Sequence, residues 1–142
     1  MMENAMSGEY ELHSMDARKL IPHGEAFRMV DRMLCCNEKQ VVVETLVRPD
    51  SPFCESGSLA STALLENIAQ TCAVRMGFLY SSVSAGVIAA VKRMDIFSEV
   101  KVGDVLRTEV LVDAEAFGMM SCTGRIERGG SVVAEAELKL MV

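Results

Sequence analysis

Alternation of apolar and polar residues runs through the C-terminal half of the chain. In VLRTEVLVDAEAF (105–117), Leu106, Thr108, Val110, Val112 and Ala114 alternate with Arg107, Glu109, Leu111, Asp113 and Glu115. In SVVAEAELKLMV (131–142), Val132, Ala134, Ala136, Leu138 and Leu140 alternate with Glu135, Glu137 and Lys139. A period of two places one set inward and the other in water. Between these segments lie MMSCTGRIER (119–128) and a Gly129-Gly130 turn; before them lie GVIAAVKRMDIF (86–97) and the turn KVGD (101–104). The pattern predicts an antiparallel meander with one wet face.

The N-terminal half reads differently. FRMVDRMLCC (27–36) and QVVVETLVR (40–48) predict a hairpin about Asn37-Glu38-Lys39, with Val41, Val43, Thr45 and Val47 on one face. Residues 16–21 predict a short helical turn before Pro22, and 1–15 a flexible N-terminal segment ahead of a single domain over 16–142. PDSPFCESGS (49–58) is a loop by its prolines and small polar residues, and Ser58 is the expected N-cap of a helix over 59–80. That helix is apolar all round, with Ala63, Leu64, Ile68 and Cys72 on one side and Leu65, Ala69, Met76 and Leu79 on the other. Such a helix is buried, and at 1.5 Å per residue it runs roughly 33 Å. Two strands, one buried helix and several antiparallel strands make an α+β protein, the layout of a hotdog fold in which the sheet wraps a central helix.

Composition narrows the function. With 142 residues there is room for one substantial core and not for two ordinary domains. Aromatic residues make up only 5%, so the core is aliphatic, and most of the 11 Met read as soft core filler, a composition that also suits an acyl-sized tunnel. A net charge of −6 argues against a nucleic-acid partner. No run of 18 apolar residues predicts a membrane span, and MMENAMSGEYELH has no secretory character. The five Cys include no C-x-x-C, so neither a disulfide framework nor a metal site is expected; reduced thiols, a cytoplasmic location and no cofactor are.

LIPHGEAFRMVDRML (20–34) resembles the opening of the hotdog 3-hydroxyacyl-acyl-carrier-protein dehydratases, where Pro-His-x-x-Pro-Phe leads to a strand ending Val-Asp-Arg. Pro22, His23, Phe27, Val30, Asp31 and Arg32 match, and Ala26 stands for the second proline. LLENIAQT (64–71) resembles the family's Glu-Ala-x-Ala-Gln in Glu66, Ala69 and Gln70, with Asn67 departing. In VKRMDIFSEVKVGDVLRTEV (91–110), Gly103 and Asp104 match a strand start. The family's Gly-His-Phe-Pro-Gly loop puts a histidine fourteen residues before the helical acid; here that position is Pro52, followed by Phe53, and Ala60-Ser61 replace a Pro-Gly at the helix start. In lacking that loop the chain is similar to a divergent branch found with aryl-polyene-type polyketide pathways.

The resemblance implies a dehydratase acting on (3R)-3-hydroxyacyl groups carried on acyl carrier protein or CoA. It also implies a homodimer, or a heterodimer with a related hotdog subunit. A catalytically weak partner subunit and an acyl thioesterase are the alternatives. Dehydration needs a base for the α-proton, an acid for the leaving hydroxyl and donors for the enolate oxygen. In the family a histidine is the base and a helical Glu or Asp from the other subunit handles the hydroxyl. Glu66 is the candidate acid, set among core-like neighbours. Of the two histidines, His13 falls in the N-terminal segment, and His23 is either recruited as base or a structural residue bonding backbone. Pro52, Phe53, Ser61, Thr62 and Gln70 are the expected substrate-binding positions, Ser61 and Thr62 through helix N-terminal amides and Gln70 by steadying the loop. Cys54 near the helix start is a thiolate candidate or a bystander. Lys92 and Arg93, with Lys101 and Arg48, are the candidate docking surface for an acidic carrier protein, against the plainer reading of a solvated strand edge.

Overall fold

The computed structural model describes residues 14–81 and 87–141. The expectations for residues 1–13, His13 among them, fall outside the described residues. Short strand β1 (Met15–Asp16) leads into a 3-10 turn at Ala17–Lys19, capped by the Asp16 carboxylate accepting from the Arg18 amide. A second turn covers Glu25–Phe27, followed by β2 (Arg32–Cys36) and β3 (Gln40–Leu46). A two-residue hairpin, β4 (Cys54–Glu55) and β5 (Ser58–Leu59), precedes helix α1 (Thr62–Tyr80). Strands β6 (Val87–Ile96), β7 (Val105–Ala116), β8 (Met119–Arg128) and β9 (Ser131–Met141) complete the chain.

Seven strands form one antiparallel sheet in the order β1-β2-β3-β7-β8-β9-β6, and α1 packs across it. This is the expected α+β arrangement of a helix wrapped by a sheet. Ile68, wholly buried at the middle of the helix, sits so close to β8 that a Cβ on Gly124 would lie 2.8 Å from its Cγ2. Farther along, a Cβ on Gly77 would lie 2.2 Å from the Leu20 carbonyl oxygen, so only glycine lets the 17–21 segment rest on the helix. Full burial of an aliphatic side chain such as Ile68 or Leu106 contributes about 2 kcal/mol each. Among the described residues no helix is long and apolar enough to cross a membrane.

Five local expectations are corrected. β2 begins at Arg32 rather than at Phe27, because the backbone of 27–29 bonds to helix side chains instead of a neighbouring strand. The helix begins at Thr62, with Ser61 in the cap position and making no side-chain cap bond. Ser58 belongs to the hairpin turned by Ser56 and Gly57, both at positive φ, and its hydroxyl donates to Glu99 Oε2 over 2.7 Å. The alternation in β7 and β9 fails at three positions: Glu109, expected in water, is buried, Val133 rather than Val132 is the buried residue at the start of β9, and Ala114 is exposed beyond a register shift between Val112 and Ala114. The meander, finally, holds only for β7-β8-β9. β6 pairs with β9 alone and forms the far edge of the sheet, because α1 carries the chain across before it returns.

Candidate active site

The first half of α1 carries three polar residues within little more than one turn: Gln70 is one turn from both Glu66 and Asn67, so it can bridge the two. Opposite them runs the segment from Pro22 to Met29, which belongs to no strand. Gln70, 1% exposed, binds it at two points: Nε2 donates to the Phe27 carbonyl at 2.8 Å, and Oε1 accepts from the Met29 amide at 2.6 Å. The Gln70 Nε2 group also donates to Glu66 Oε2 at 2.7 Å. One glutamine therefore fixes both the carboxylate and the segment facing it.

That segment brings an imidazole to the carboxylate. His23 Nε2 lies 3.5 Å from Glu66 Oε2, with side chains 19% and 36% exposed respectively, so the pair is half-sheltered and still reachable. The contact forms within one chain. His23 Nδ1 is buried and has no hydrogen-bond partner among the described residues, so the backbone bond of a purely structural histidine is not made. Glu66 Oε2 is the oxygen beside the imidazole and also accepts from Gln70, while Oε1 has no protein partner among the described residues.

The other expected site residues surround this pair unevenly. Phe53 packs edge-on against Phe27, ring centroids 6.2 Å apart, which ties the 51–54 turn to the His23 segment. Pro52 is exposed in that turn, and no imidazole stands in its place. Ser61 and Thr62 are exposed at the start of α1; the amides of Ala63 and Leu64 already donate to Ala60 and Ser61, so the free helix N-terminal amides are those of Ser61 and Thr62. A cleft of about 290 Å³ lies between Arg28, Met29, Thr45, Arg48, Ser51 and Leu59. A second, of about 360 Å³, runs past Ser61 and Leu64 to Ile96 and Phe97 on the β6 edge. Cys54 is half-buried with its thiol toward the Arg48 carbonyl, 3.5 Å away. Among the described residues no three His, Cys, Asp or Glu side chains converge to hold a metal.

The basic residues do not form one patch. Arg93 Nε donates to Asp95 at 2.5 Å, Lys92 is exposed beside it on β6, and Arg48 pairs with Asp31 at 3.0 Å on the other side of the sheet. Asp31 also pairs with Arg28 at 3.6 Å and accepts from the Leu46 amide at 2.7 Å.

Sequence reasoning passed over Asn67 and Arg75. Asn67 is fully buried, donating to the Met29 carbonyl at 2.7 Å and accepting from Thr108 Oγ1 at 2.5 Å. Its signal was a polar residue three positions before Gln70 where the resemblance called for alanine. Arg75 is also buried, donating to the Glu38 carbonyl at 2.9 Å and pairing with Glu115 at 3.0 Å.

A long helix wrapped by an antiparallel sheet is the arrangement of a hotdog protein. Residues 15–142 match the ApeP-like family, described as ApeP dehydratase, and the chain belongs to that family. It is 26% identical over 138 residues to the 3-hydroxyacyl-[acyl-carrier-protein] dehydratase FabZ of Thermoanaerobacter pseudethanolicus, covering 92% of this chain and 97% of the relative. The FabZ of Ruminiclostridium cellulolyticum is 27% identical over 135 residues, covering 90% and 95%. The same fold occurs in the dehydratase heterocomplex ApeI:P from Xenorhabdus doucetiae, with a TM-score of 0.83 at 20% identity, covering 89% of this chain and 90% of that one.

Proposed function

We propose that this chain is a dehydratase-like subunit acting on (3R)-3-hydroxyacyl thioesters carried by acyl carrier protein, in fatty-acid or aryl-polyene-type polyketide biosynthesis. The observation that carries the reading is the His23–Glu66 pair at 3.5 Å in a chain of a dehydratase family. One proton shared by the pair is enough for the reaction. With the imidazole neutral and Glu66 protonated, His23 Nε2 takes the α-proton from C2 while Glu66 gives its proton to the 3-hydroxyl. The C2–C3 double bond forms as the C3–O bond breaks, and water leaves. The imidazolium then returns its proton to Glu66. The Ser61 and Thr62 amides face the developing charge on the thioester oxygen, where a helix N-terminus favours an anion. Phe53 and Gln70 shape and hold the loop beside the pair, and Lys92 with Arg93 offers positive charge to an acidic carrier.

The test is turnover of a 3-hydroxyacyl carrier protein followed by mass. An enoyl product, about 18 Da lighter, supports the reading; release of free acid makes the chain a thioesterase. Glu66→Gln is expected to lower kcat by about 10²–10⁴ without changing the melting temperature. Turnover undiminished in Glu66→Gln rules out the role given to this carboxyl. His23→Ala is expected to fall as far, and Pro52→His to add little.

A second reading is favoured by the edge of the sheet. Among the described residues β6 has one unpaired side, the strand carries exposed Val87, Val91 and Ile96, and the cleft past Leu64 ends at that edge. An edge of this kind calls for a partner strand. A second hotdog subunit, identical or related, would close the cleft, and the heteromeric assembly of the ApeI:P complex favours a related one. In that case the chain alone turns over weakly and the mixed complex turns over fast. If His23→Ala leaves the mixed complex fully active, the chemistry belongs to the other subunit.

A further inference from the structure

We infer that Asn67 is a positioning residue for the Glu66–His23 pair, acting from the core through the backbone of Met29; the inference rests on the catalytic reading of that pair. Asn67 is wholly buried on α1 next to Glu66. Its Nδ2 donates to the Met29 carbonyl at 2.7 Å and to Thr45 Oγ1 at 3.3 Å, and its Oδ1 accepts from Thr108 Oγ1 at 2.5 Å. Thr45 spends its own proton on the same Met29 carbonyl at 2.8 Å. The amide orientation is thereby set, because turned over it would aim Oδ1 at the Met29 oxygen.

A core polar network needs a reason, since an apolar helix face would pack against β3 and β7 without it. Here the network reaches a stretch of main chain that belongs to no strand and is held by side chains. Gln70, itself buried, holds the Phe27 carbonyl and the Met29 amide. Asn67 holds the Met29 carbonyl from beneath, and is anchored in turn to β3 by Thr45 and to β7 by Thr108. The segment so pinned is the one that returns His23 to Glu66. Without the lower anchor, its height above the helix rests on Gln70 and Thr45. Gln70 is itself bonded to Glu66, so movement of the segment moves both members of the pair.

Asn67→Ala removes the anchor, and the isosteric Thr108→Val weakens it while keeping the core filled. The first readout is the His23 ring ¹⁵N spectrum, which needs no turnover. Glu66→Gln should shift those resonances in the otherwise unaltered chain, and that response should fall below half its size in the Asn67→Ala and Thr108→Val backgrounds. The second readout is dehydration by the chain with whatever partner subunit it requires. Asn67→Ala should lower kcat about tenfold, as a misplaced reacting group does, with KM within twofold. In a His23→Ala background the same change should cost less than twofold. An undiminished ¹⁵N response, or equal losses with and without His23, would reduce Asn67 to a stability residue and overturn the inference. If Asn67→Ala does not fold, Thr108→Val decides by the same two readouts. If no sample dehydrates anything, the functional reading fails while the ¹⁵N comparison still decides the positioning.

Discussion

The two halves of α1 bury polar side chains in opposite ways. In the first, Asn67 and Gln70 hold main chain that belongs to no strand, and among the described residues Glu66 keeps one oxygen without a partner while the other lies by a half-sheltered imidazole. In the second, Arg75 is 1% exposed and fully occupied: the Glu38 carbonyl, the Glu115 carboxylate, the Met120 sulfur at 3.5 Å and the Tyr80 ring at 5.8 Å leave it nothing to offer. Neighbouring Cys72 and Cys122 lie 3.8 Å apart, equally closed off. Burial of a charged or amide group therefore does not mark a reactive site. What separates the halves is the remainder: an unsatisfied acceptor, a second titratable group and a path to solvent.

The sharpest way to break this contrast is to exchange the effects. Arg75→Met should leave kcat per folded molecule unchanged within twofold while Glu66→Gln abolishes turnover, a difference of up to about 10⁴ in rate. Chemical denaturation should show Arg75→Met destabilised by about 1–3 kcal/mol, moderate because Glu115 keeps water while the Glu38 carbonyl loses its donor. A loss of activity in Arg75→Met at full stability would mean that the two halves are coupled.

Gly77→Ala is the change expected to reach both. Its methyl would meet the Leu20 carbonyl, main chain that cannot turn aside, and lift the start of the segment that ends at Met29. We expect a loss of about 2–3 kcal/mol in urea unfolding and a fall in kcat together. Lost stability with unchanged kcat would show that the segment is held by Asn67 and Gln70 alone.

The smallest effect lies outside both halves. Glu109 on β7 is buried beside Gln40, and burial raises its carboxyl above the ordinary range. Between the unfolded and the raised folded value the native state binds more protons, so stability falls as pH rises through that window and the penalty persists above it. Glu109→Gln should remove that slope and raise the melting temperature at neutral pH by about 1–2 °C. A lower melting temperature at pH 7 would mean that the ionised carboxylate is stabilising.

Much of the fold was legible in one dimension. Period-two alternation located β7 and β9, and with them β8 between, because a sheet with one wet face writes most of its burial into the sequence. The all-apolar wheel of residues 59–80 announced a buried helix, and Gly129-Gly130 the turn between β8 and β9. The order of residues likewise pointed to Glu66, Gln70 and the Pro22-His23 segment, through their resemblance to a dehydratase family.

The rest was decided only in three dimensions. No local preference could place β6 beside β9, since strand pairing at the sheet edge is set by where the helix delivers the chain. Strand propensity overran the start of β2, because the groups that satisfy the Phe27 and Met29 backbone come from Gln70 and Asn67, about forty residues away. Ser58 carries the chemistry of a cap, yet the close pairing of β4 with β5 claimed it first. The meeting of His23 with Glu66 is of the same kind. Each residue was visible alone, but a contact across forty-three positions of sequence exists only when the core has fixed both ends.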